Sequence, residues 1–298
     1  MDLSVIIVTY NSKDIIVNCL ESIFLKTSGI DFEVIVVDNN SIDGTIDLVL
    51  NLFSDNVRII KLGRNIGFGS ANNEGVKVSI GRNLLFLNPD TVILNNALKV
   101  LSDYLDANQD TGAIGGNLFD SKLSPAYSYR RFMPSLLWEL NDIFGGLPEK
   151  LIFSRNANFN HSLRCIEVAY ITGADLMVSR HALDIAGTFD PVFFLFFEET
   201  DLCLRIRKSG YKIVSNPEAR IQHLEGTSFA EEKNRIIFYL EGRRLFYSKN
   251  YPQIKHDILD FIFWINCRTR ILLFTVLRNK DKKSFWETRV RYFRMRMG

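Results

Sequence analysis

The chain has 298 residues, of which 47% are hydrophobic and 23% are charged. This composition excludes an intrinsically disordered protein, and the length suffices for one large domain or for one domain with a smaller appendage. The formal net charge of +2 is unevenly distributed. The segment 268–298 holds ten Arg or Lys and two acids, so it nets +8 while the remainder nets −6. A basic tail on an acidic body is typical of a protein that contacts an anionic surface.

The amino-terminal sequence lacks the pattern of a secretory signal peptide, because Met1 is followed by Asp2 and then by a strand-like run. The best candidate for a membrane span, residues 258–277, is interrupted by Arg268 and Arg270, which disfavours insertion. We therefore expect a cytoplasmic protein. For its residues 254–298, one interpretation is peripheral binding to an anionic membrane surface at the inner face of the plasma membrane, and the equal alternative is a helix packed on the rest of the protein with a solvated basic tail. No nucleic acid is expected as a partner.

Strand and helix patterns alternate through the first half of the chain. Continuous apolar, β-branched runs predict four buried strands, at residues 3–8, 32–37, 57–62 and 84–87. A helix pattern follows each of them, at about residues 12–26, 46–53, 71–79 and 95–107. Strands that alternate with helices indicate βαβ units around a buried, mainly parallel sheet, so the predicted fold class is α/β.

The second half is less regular. Residues 120–166 lose the alternation and are rich in aromatic and basic side chains, so we predict a long functional loop there. Regular patterns return with a strand at 174–179, a helix at 200–209 and a strand at 219–222. From about residue 230 onward, the pattern predicts helices rich in aromatic and basic residues.

Polar residues follow three of the predicted strands. In an open parallel sheet, ligands bind beyond the carboxyl ends of the strands. An acid after the second strand can accept hydrogen bonds from a ribose or a base, and an acid after the fourth can hold a divalent cation. The residues concerned are Thr9, Tyr10, Asn11, Asp38, Asn88 and Asp90. For either acid alone, a role only in forming a turn is an equal alternative.

A glycine-rich turn at residues 63–69 leads into the third predicted helix. Glycines such as Gly67 let a backbone approach a phosphate or a ring closely, and the start of a helix favours anions. The turn is not the dinucleotide-binding fingerprint, because its glycine spacing differs and it follows the third strand rather than the first. Taken alone, it indicates little.

The segment 193–201 places five apolar residues before Glu198, Glu199 and Asp201. Acids in a first helical turn are stabilised by the helix dipole, which is the structural interpretation. Acids beside an apolar wall and close to one another have raised pKa values and suit general-base chemistry, which is the interpretation we favour. His223 follows the last predicted strand and can complete a metal site, although a lone His is more often structural.

Seven motifs follow one another along residues 3–245. They are Val5–Asn11, Val36–Thr45, Asn65–Phe68, Leu87–Thr91, Thr172–Ala174, Glu198–Arg205 and His223. Together they resemble the family 2 inverting glycosyltransferases with the A-type fold, most closely their rhamnosyltransferase-like branch. The resemblance implies a single nucleotide-binding domain of this fold at residues 1–229, with a nucleotide-sugar half (1–119) and an acceptor half (120–229). Residues 230–298 would form a basic, helical C-terminal extension.

The resemblance also implies roles for individual residues. The donor-binding residues would be Thr9, Tyr10, Asn11, Asp38, Asn65, Gly67, Phe68, Asn88 and Asp90. Asp90 would bind a Mn²⁺ or Mg²⁺ ion on the diphosphate, with His223 as a second ligand, and Glu199 would be the catalytic base. Asn88 replaces the first acid of the family's metal-binding element. Glu stands at position 199 where the family usually has Asp, so Glu198 or Asp201 can share or take the role of base.

The implied reaction is a single displacement that moves a sugar from a dTDP- or UDP-sugar to a polysaccharide or lipid-linked glycan, with inversion at the anomeric carbon. The resemblance favours dTDP-rhamnose as the donor, and cell-wall or O-antigen polysaccharide synthesis as the setting. One alternative is a nucleotidyltransferase, which usually has a basic, glycine-rich loop where this chain has Thr9–Ser12. Another is a non-enzymatic protein that binds carbohydrate or nucleic acid, which would not need Asp90, Glu199 and His223 together.

Overall fold

The computed structural model describes residues 1–224 and 232–295. Its strands are β1 Leu3–Thr9, β2 Phe32–Asp38, β3 Val57–Lys61, β4 Asn83–Leu87, β5 Thr91–Ile93, β6 Thr111–Phe119, β7 Tyr129–Arg130, β8 Ile166–Glu167, β9 Tyr170–Ile171, β10 Asp175–Ser179 and β11 Lys212–His223. Its helices are α1 Ile16–Lys26, α2 Thr45–Phe53, α3 Phe68–Val78, α4 Ala97–Ala107, α5 Leu136–Ile143, α6 Leu147–Phe153, α7 Arg180–Ala186, α8 Glu198–Lys208, α9 Glu232–Asn250, α10 Gln253–Val276 and α11 Lys280–Met295.

Nine of the described strands form one mixed sheet. Its order is β3-β2-β1-β4-β10-β6-β11-β5, with β8 paired to β11, while β7 and β9 form a separate ladder. β1, β2, β3 and β4 are parallel, β10 is antiparallel to both β4 and β6, and β6 is parallel to β11. Six strands therefore share one direction, which confirms the predicted α/β fold with a mainly parallel sheet.

The continuous apolar runs are explained by burial on both faces of the sheet. In β1, Val5 and Ile7 pack in a cluster with α1 and α4, whereas Ile6 and Val8 pack in a second cluster with residues of α3 and α8. Because neither face meets water, no polar alternation is needed. Each such side chain contributes about 1.5–3 kcal/mol through the hydrophobic effect.

Four strands of the central sheet escaped the sequence patterns, wholly or in part: the short β5 and β8, and also β6 and β11. β6 carries Gly112, Gly115 and Gly116, which weaken its strand signal. A Cβ at Gly112 would lie 2.6 Å from a methyl carbon of Ile206, and one at Gly116 would lie 2.6 Å from a backbone oxygen. These glycines therefore permit close packing around β6. β11 begins at Lys212, seven residues before the strand predicted there.

The prediction of a long loop over residues 120–166 is wrong in part, because this segment contains α5 and α6. Both helices are short, with 8 and 7 residues, and isolated helices of that length are unstable in water. Tertiary contacts hold them instead: Asn141 Nδ2 donates to Glu149 Oε2 (3.1 Å), and the Arg131 N–H donates to Glu149 Oε1 (3.2 Å). Contacts of this kind leave no periodic pattern in the sequence.

The predicted C-terminal helices are confirmed. α9 and α10 pack on the sheet domain, where Phe246 and Leu259 join Phe193 and Phe197 in one apolar cluster. The proposed domain boundary at residue 229 lies outside the described residues, and so does Arg296 of the basic tail. The two halves proposed within residues 1–229 share the central sheet, since β10 and β11 flank β6. None of the helices described is both long and apolar enough to cross a membrane.

Candidate active site

Several sequence-predicted site residues come together because the parallel strands end at one edge of the sheet. The residues at or just beyond these carboxyl ends are Thr9, Asp38, Asn88 and His223. β10 runs in the opposite direction, so the turn Thr172–Ala174 that precedes it lies at the same edge. His223 is paired with Thr91 of β5, which places it beside Asp90. This edge is where ligands bind in sheets of this type.

Asp90 and His223 form a close pair. Oδ1 of Asp90 lies 3.3 Å from Nε2 of His223, and Nδ2 of Asn88 lies 3.4 Å from the same nitrogen. The two side chains are only 6% and 13% exposed. Asn88 is fixed by its N–H, which donates to the carbonyl of Ala174 (3.0 Å). Within residues 1–224 and 232–295, no three His, Cys, Asp or Glu residues form a metal-type cluster, so a cation at this pair would need further ligands from water or a bound molecule.

A tight turn delivers the two glutamates. Phe196 and Phe197 have φ angles of +66° and +70°, in the left-handed region that bulky residues rarely adopt. α8 begins directly after this turn, so Glu198 and Glu199 occupy its first turn. Glu198 is 4% exposed and Glu199 is half-buried. Backbone strain next to acids at a sheet edge is typical of a functional site.

Burial raises the pKa of both carboxyls. For Glu198, burial is the main cause and the charge of Glu199 adds to it, so the pKa of Glu198 lies well above its ordinary value. Burial also raises the pKa of Glu199, but backbone N–H groups and the hydroxyl of Thr200 (3.2 Å) donate to this side chain and oppose the rise. The pKa of Glu198 is thus raised further than that of Glu199, so Glu199 is the carboxyl of the pair that ionises more readily.

Asp201 occupies a different environment from the two glutamates. Its fully buried carboxylate accepts a hydrogen bond from Arg205 Nε (2.7 Å) and forms an ion pair with Lys249 Nζ (2.8 Å). Arg205 in turn donates to the carbonyls of residues 186–188. Asp201 does not line the cavity that holds Glu198 and Glu199. Its contacts favour a structural role, in which it joins α8 to α9.

The glycine-rich turn contacts the acid-bearing turn. Gly67 has φ +88°, and a Cβ there would collide with the carbonyl oxygen of Phe194. The N–H of Phe68 donates to that same oxygen (2.9 Å). The glycine is therefore needed for packing against residues 193–197, while the ring of Phe68 lines the cavity. The turn therefore supports the segment that carries the two glutamates.

Asn11 and Asp38 are held by backbone hydrogen bonds from the loop after β2. Oδ1 of Asn11 accepts from the Ile42 N–H (2.9 Å), and the carboxylate of Asp38 accepts from the Ser41 N–H (3.1 Å). Asn11 itself has φ +52°, a conformation that Asn tolerates better than most residues. These contacts shape a rim at the ends of β1 and β2.

The same rim contains the remaining residues expected around the nucleotide. Oδ1 of Asn65 accepts from Nδ2 of Asn39 (2.9 Å), which ties the glycine-rich turn to the end of β2. Thr9 is fully buried, and Tyr10 is 43% exposed. Tyr10 is thus the side chain on this rim that is most available to stack on a planar ligand.

A cavity of about 310 Å³ opens at this edge of the sheet. The sequence-predicted residues in its lining are Phe68, Asn88, Asp90, Glu198, Glu199 and His223. Thr9, Tyr10, Asn11, Asp38 and Asn65 are outside that lining. The lining also contains residues that sequence reasoning had given no role: Tyr127, the Thr172–Ala174 turn, Leu195, Phe196 and Arg235. Three sequence features could have indicated most of them: the Thr172–Ala174 motif, the apolar run that contains Leu195 and Phe196, and the aromatic-rich segment 120–166 that contains Tyr127.

A second, larger cavity of about 630 Å³ lies among α9, α10 and α11. It shares no lining residue with the first cavity, and its lining contains no residue from a strand. The smaller cavity is the candidate active site, because it combines the strand ends, the Asp90–His223 pair and two acids of raised pKa. This architecture agrees with the A-type fold that the sequence motifs resemble.

Comparison with known proteins identifies the family. The family model described as "Glycosyl transferase family 2" matches residues 4–167. The chain is 30% identical over 241 residues to the N-acetylglucosaminyl-diphospho-decaprenol L-rhamnosyltransferase of Mycobacterium tuberculosis, covering 74% of this chain and 75% of that protein. It is 26% identical over 225 residues to the dTDP-rhamnosyl transferase RfbF of Shigella flexneri, covering 74% and 68%. The chain therefore belongs to glycosyl transferase family 2.

Solved structures support the fold. GalNAc-T7 with UDP, GalNAc and Mn²⁺ superposes with a TM-score of 0.56 at 16% identity, over 80% of this chain and 47% of that one. Residues 1–349 of TarS from S. aureus superpose with a TM-score of 0.54 at 17% identity, over 98% and 91%. The predicted family and its rhamnosyltransferase-like branch are confirmed, and the protein is a glycosyltransferase. The roles of individual site residues stay predictions.

Proposed function

We propose that this glycosyltransferase moves rhamnose from dTDP-rhamnose to a lipid-linked or polysaccharide acceptor, by a metal-dependent displacement that inverts the anomeric carbon. The observation that carries the proposal is the convergence of Asp90, His223 and Glu199 on one cavity at the carboxyl edge of the sheet. A site for the departing diphosphate and a site for the incoming hydroxyl are thereby adjacent. Residues 1–229 would supply this chemistry, with the donor bound by the first half and the acceptor by the second.

The Asp90–His223 pair fits a divalent cation. Two ligand atoms in adjacent positions around one ion, each at about 2.1 Å, lie about 3 Å apart, and Oδ1 of Asp90 is 3.3 Å from Nε2 of His223. One carboxylate and one imidazole suit Mn²⁺ better than Mg²⁺, which prefers oxygen ligands. When bound, the cation would neutralise charge on the nucleoside diphosphate as it leaves.

Glu199 is the proposed catalytic base. It is the more readily ionised carboxyl of the Glu198–Glu199 pair, and it lies beside Gly173, where a Cβ would be 3.8 Å from Glu199 Cγ. Its carboxylate would take the proton of the acceptor hydroxyl as that oxygen attacks the anomeric carbon. Glu198, kept neutral by burial and by its neighbour, would preserve a single negative charge in the pair.

On the donor side, we propose that Thr9, Tyr10, Asn11, Asp38 and Asn65 bind the base and ribose, while Gly67, Phe68 and Asn88 face the diphosphate and sugar. The hydrogen bonds that fix Asn11 and Asp38 support a preformed rim. The names of the Mycobacterium and Shigella relatives support rhamnose as the sugar and dTDP as the nucleotide, with UDP-hexoses as second candidates. The first of those names also supports a lipid diphosphate acceptor. We propose the synthesis of a cell-wall or O-antigen polysaccharide as the setting.

Peripheral contact with an anionic membrane at the cytoplasmic face would bring the enzyme to such an acceptor. We assign this contact to residues 254–298. On α10, Ile254, Ile258, Phe261 and Leu272 are 49–76% exposed, and their successive spacings of four, three and eleven residues place them along one side of the helix. Exposed basic residues, including Arg268 and Arg278, accompany them. Apolar side chains with flanking cations are typical of an interfacial helix.

The proposed reaction is tested by incubating the protein with Mn²⁺ and each of dTDP-rhamnose, UDP-glucose and UDP-GlcNAc, with and without a lipid diphosphate-linked glycan. We expect release of dTDP that rises with acceptor and stops with a chelator. Release of pyrophosphate would indicate a nucleotidyltransferase instead. Activity with a UDP-sugar alone would retain the reaction but change the donor, and full activity in chelator would remove the metal.

A further inference from the structure

The α5–α6 helical hairpin presents an apolar outer face. Leu137, Leu140 and Phe144 follow one side of α5 at spacings of three and four residues, and they are 46%, 37% and 62% exposed. Leu147, Leu151 and Ile152 continue on α6 with exposures of 54%, 75% and 60%. We call these six side chains the hairpin face. An apolar patch of this extent on a water-exposed surface marks an interaction site.

The acids of the hairpin all turn away from this face. Glu139 is buried and accepts from Arg243 Nε (2.9 Å), and Asp142 accepts from Asn266 Nδ2 (2.7 Å). Glu149 is buried by its bonds to α5 and to the chain before it. The charged side chains of residues 135–156 that remain exposed are Lys150 and Arg155. The outer surface of the hairpin is therefore apolar and positively charged. Its inner surface is hydrogen-bonded to α9 and α10.

The hairpin face continues onto α10. Arg270 Nη2 donates to the carbonyl of Asp142 (2.8 Å), so the end of α5 lies against this part of α10. Leu273 and Leu277 follow Arg270 by three and seven residues, so they lie on the side of α10 that carries Arg270. They are 44% and 61% exposed, and exposed Arg278 comes next. Apolar side chains of α5, α6 and the end of α10 are thereby neighbours.

The hairpin face also adjoins the acceptor side of the cavity. The segment around β7 contacts both the cavity and the hairpin. On the cavity side, the guanidinium of Arg130 lies 4.8 Å from the ring centre of Tyr127, which lines the cavity. On the hairpin side, the guanidinium of Arg131 lies 4.2 Å from the ring centre of Phe153 at the end of α6. A surface bound to this hairpin would therefore be close to the entrance for an acceptor.

We propose that the hairpin face and the Leu273–Leu277 end of α10 form one docking surface for an anionic lipid bilayer. This inference rests on the proposed membrane contact of residues 254–298 and adds a second element from the acceptor half. Charge decides between lipid and a second copy of the chain. A symmetric pairing through this face would bring Lys150, Arg155 and Arg278 towards like charges, whereas anionic headgroups complement them.

Sedimentation of the full chain with vesicles tests the proposal. The vesicles contain phosphatidylcholine with or without phosphatidylglycerol. The Leu147→Gln/Leu151→Gln variant should bind the anionic vesicles at least fivefold more weakly than the unaltered protein. The matched control is Ile42→Gln/Leu163→Gln, which changes two side chains that are 86% and 96% exposed elsewhere, and it should bind normally. Binding should also weaken with salt. Melting curves verify that each variant is folded.

The outcomes separate this inference from the proposals beneath it. If Leu147→Gln/Leu151→Gln binds normally while Leu273→Gln/Leu277→Gln does not, the hairpin is excluded and the contact through residues 254–298 stands. If Ile42→Gln/Leu163→Gln weakens vesicle binding as much as the hairpin variant does, the assignment of the surface is overturned. If neither the unaltered protein nor any variant binds vesicles, both membrane proposals are overturned. A dimer that dissociates in the hairpin variant, seen by light scattering, would assign the face to a second copy. Sugar transfer to a water-soluble acceptor reports on the catalytic proposal alone.

Discussion

Two glutamates of this protein are almost equally buried but differ in their partners. Glu139, in α5, is 0% exposed; Arg243 Nη2 lies 2.7 Å away, and the Tyr247 hydroxyl donates to it (2.8 Å). Glu198, at the start of α8, is 4% exposed, and among the described residues it has no ion pair and no hydrogen-bond partner for Oε2. The comparison separates an acid that holds helices together from one that lines a cavity.

The difference shows how the same side chain is used for stability or for chemistry. Burial raises the pKa of Glu139 too, but the charge of Arg243 opposes the rise. Glu198 instead lies next to another carboxyl, Glu199, whose negative charge raises the pKa of Glu198 further. An acid without a counter-ion costs folding free energy, so its presence at a cavity favours a functional role. Asp201, paired with Arg205 and Lys249, belongs with Glu139.

The largest expected effect is at the cavity. Asp90→Ala should reduce turnover to background and remove metal-dependent donor binding, because it deletes the carboxylate of the Asp90–His223 pair, while the melting temperature stays close to that of the unaltered protein. Calorimetric titration of Mn²⁺ with dTDP, together with the transfer assay, measures both. Asp120→Ala, an acid just beyond β6 that does not line the cavity, is the control. Full activity of Asp90→Ala in chelator would contradict the metal assignment.

The next effect tests the unpaired acids directly. Glu199→Gln should keep donor affinity and lose about 10² to 10⁴ in kcat, because the acceptor proton has no base. Since the pKa of Glu199 is raised, kcat/KM of the unaltered enzyme should increase with pH through a value above that of ordinary glutamate. Exposed Glu167→Gln is the control. A larger loss in Glu198→Gln than in Glu199→Gln would exchange the roles of the two residues.

The paired acid should give a stability effect instead. Arg243→Met leaves Glu139 buried without its cation, which should lower the free energy of unfolding by about 3–5 kcal/mol. Adding Glu139→Gln should recover part of the loss. Urea denaturation measures both, with the exposed neighbour Arg244→Met as control. At low temperature, kcat per folded molecule should be unchanged. If kcat fell as in Glu199→Gln, the division between structural and chemical acids would be wrong.

The smallest effect concerns the stability cost of Glu198. Its pKa is higher in the folded protein than in the unfolded chain, so the folded state binds the extra proton between those two values and stability falls as pH rises. Glu198→Gln removes this loss. Its melting temperature should exceed that of the unaltered protein at about pH 8 and approach it at about pH 4, where the unfolded carboxyl is also largely protonated. A pH-independent difference would mean that packing, not charge, dominates at this position.

Much of the first half of the fold could be predicted because its strands are buried on both faces. Such strands must be largely apolar, and β1 and β2 show this, with Ser4 and Glu33 as the only polar residues inside their predicted runs. The position of the polar residues after β1, β2 and β4 could be predicted for a related reason: residues directly after such strands must lie at the carboxyl edge. The short helices α5 and α6 were missed because bonds such as Asn141 to Glu149, and not their own pattern, hold them.

The local sequence by itself determined the α/β class, the family and the set of candidate residues, since these depend on periodicity and on motifs of a few neighbouring residues. Only the tertiary structure decided which buried acids are held in ion pairs and which line the cavity. Asp201 lies two positions from Glu199, yet its carboxylate is neutralised by Lys249, which lies far along the chain. Glu139 meets Arg243 across 104 residues. Charge and burial at these sites come from long-range packing, which no local pattern records.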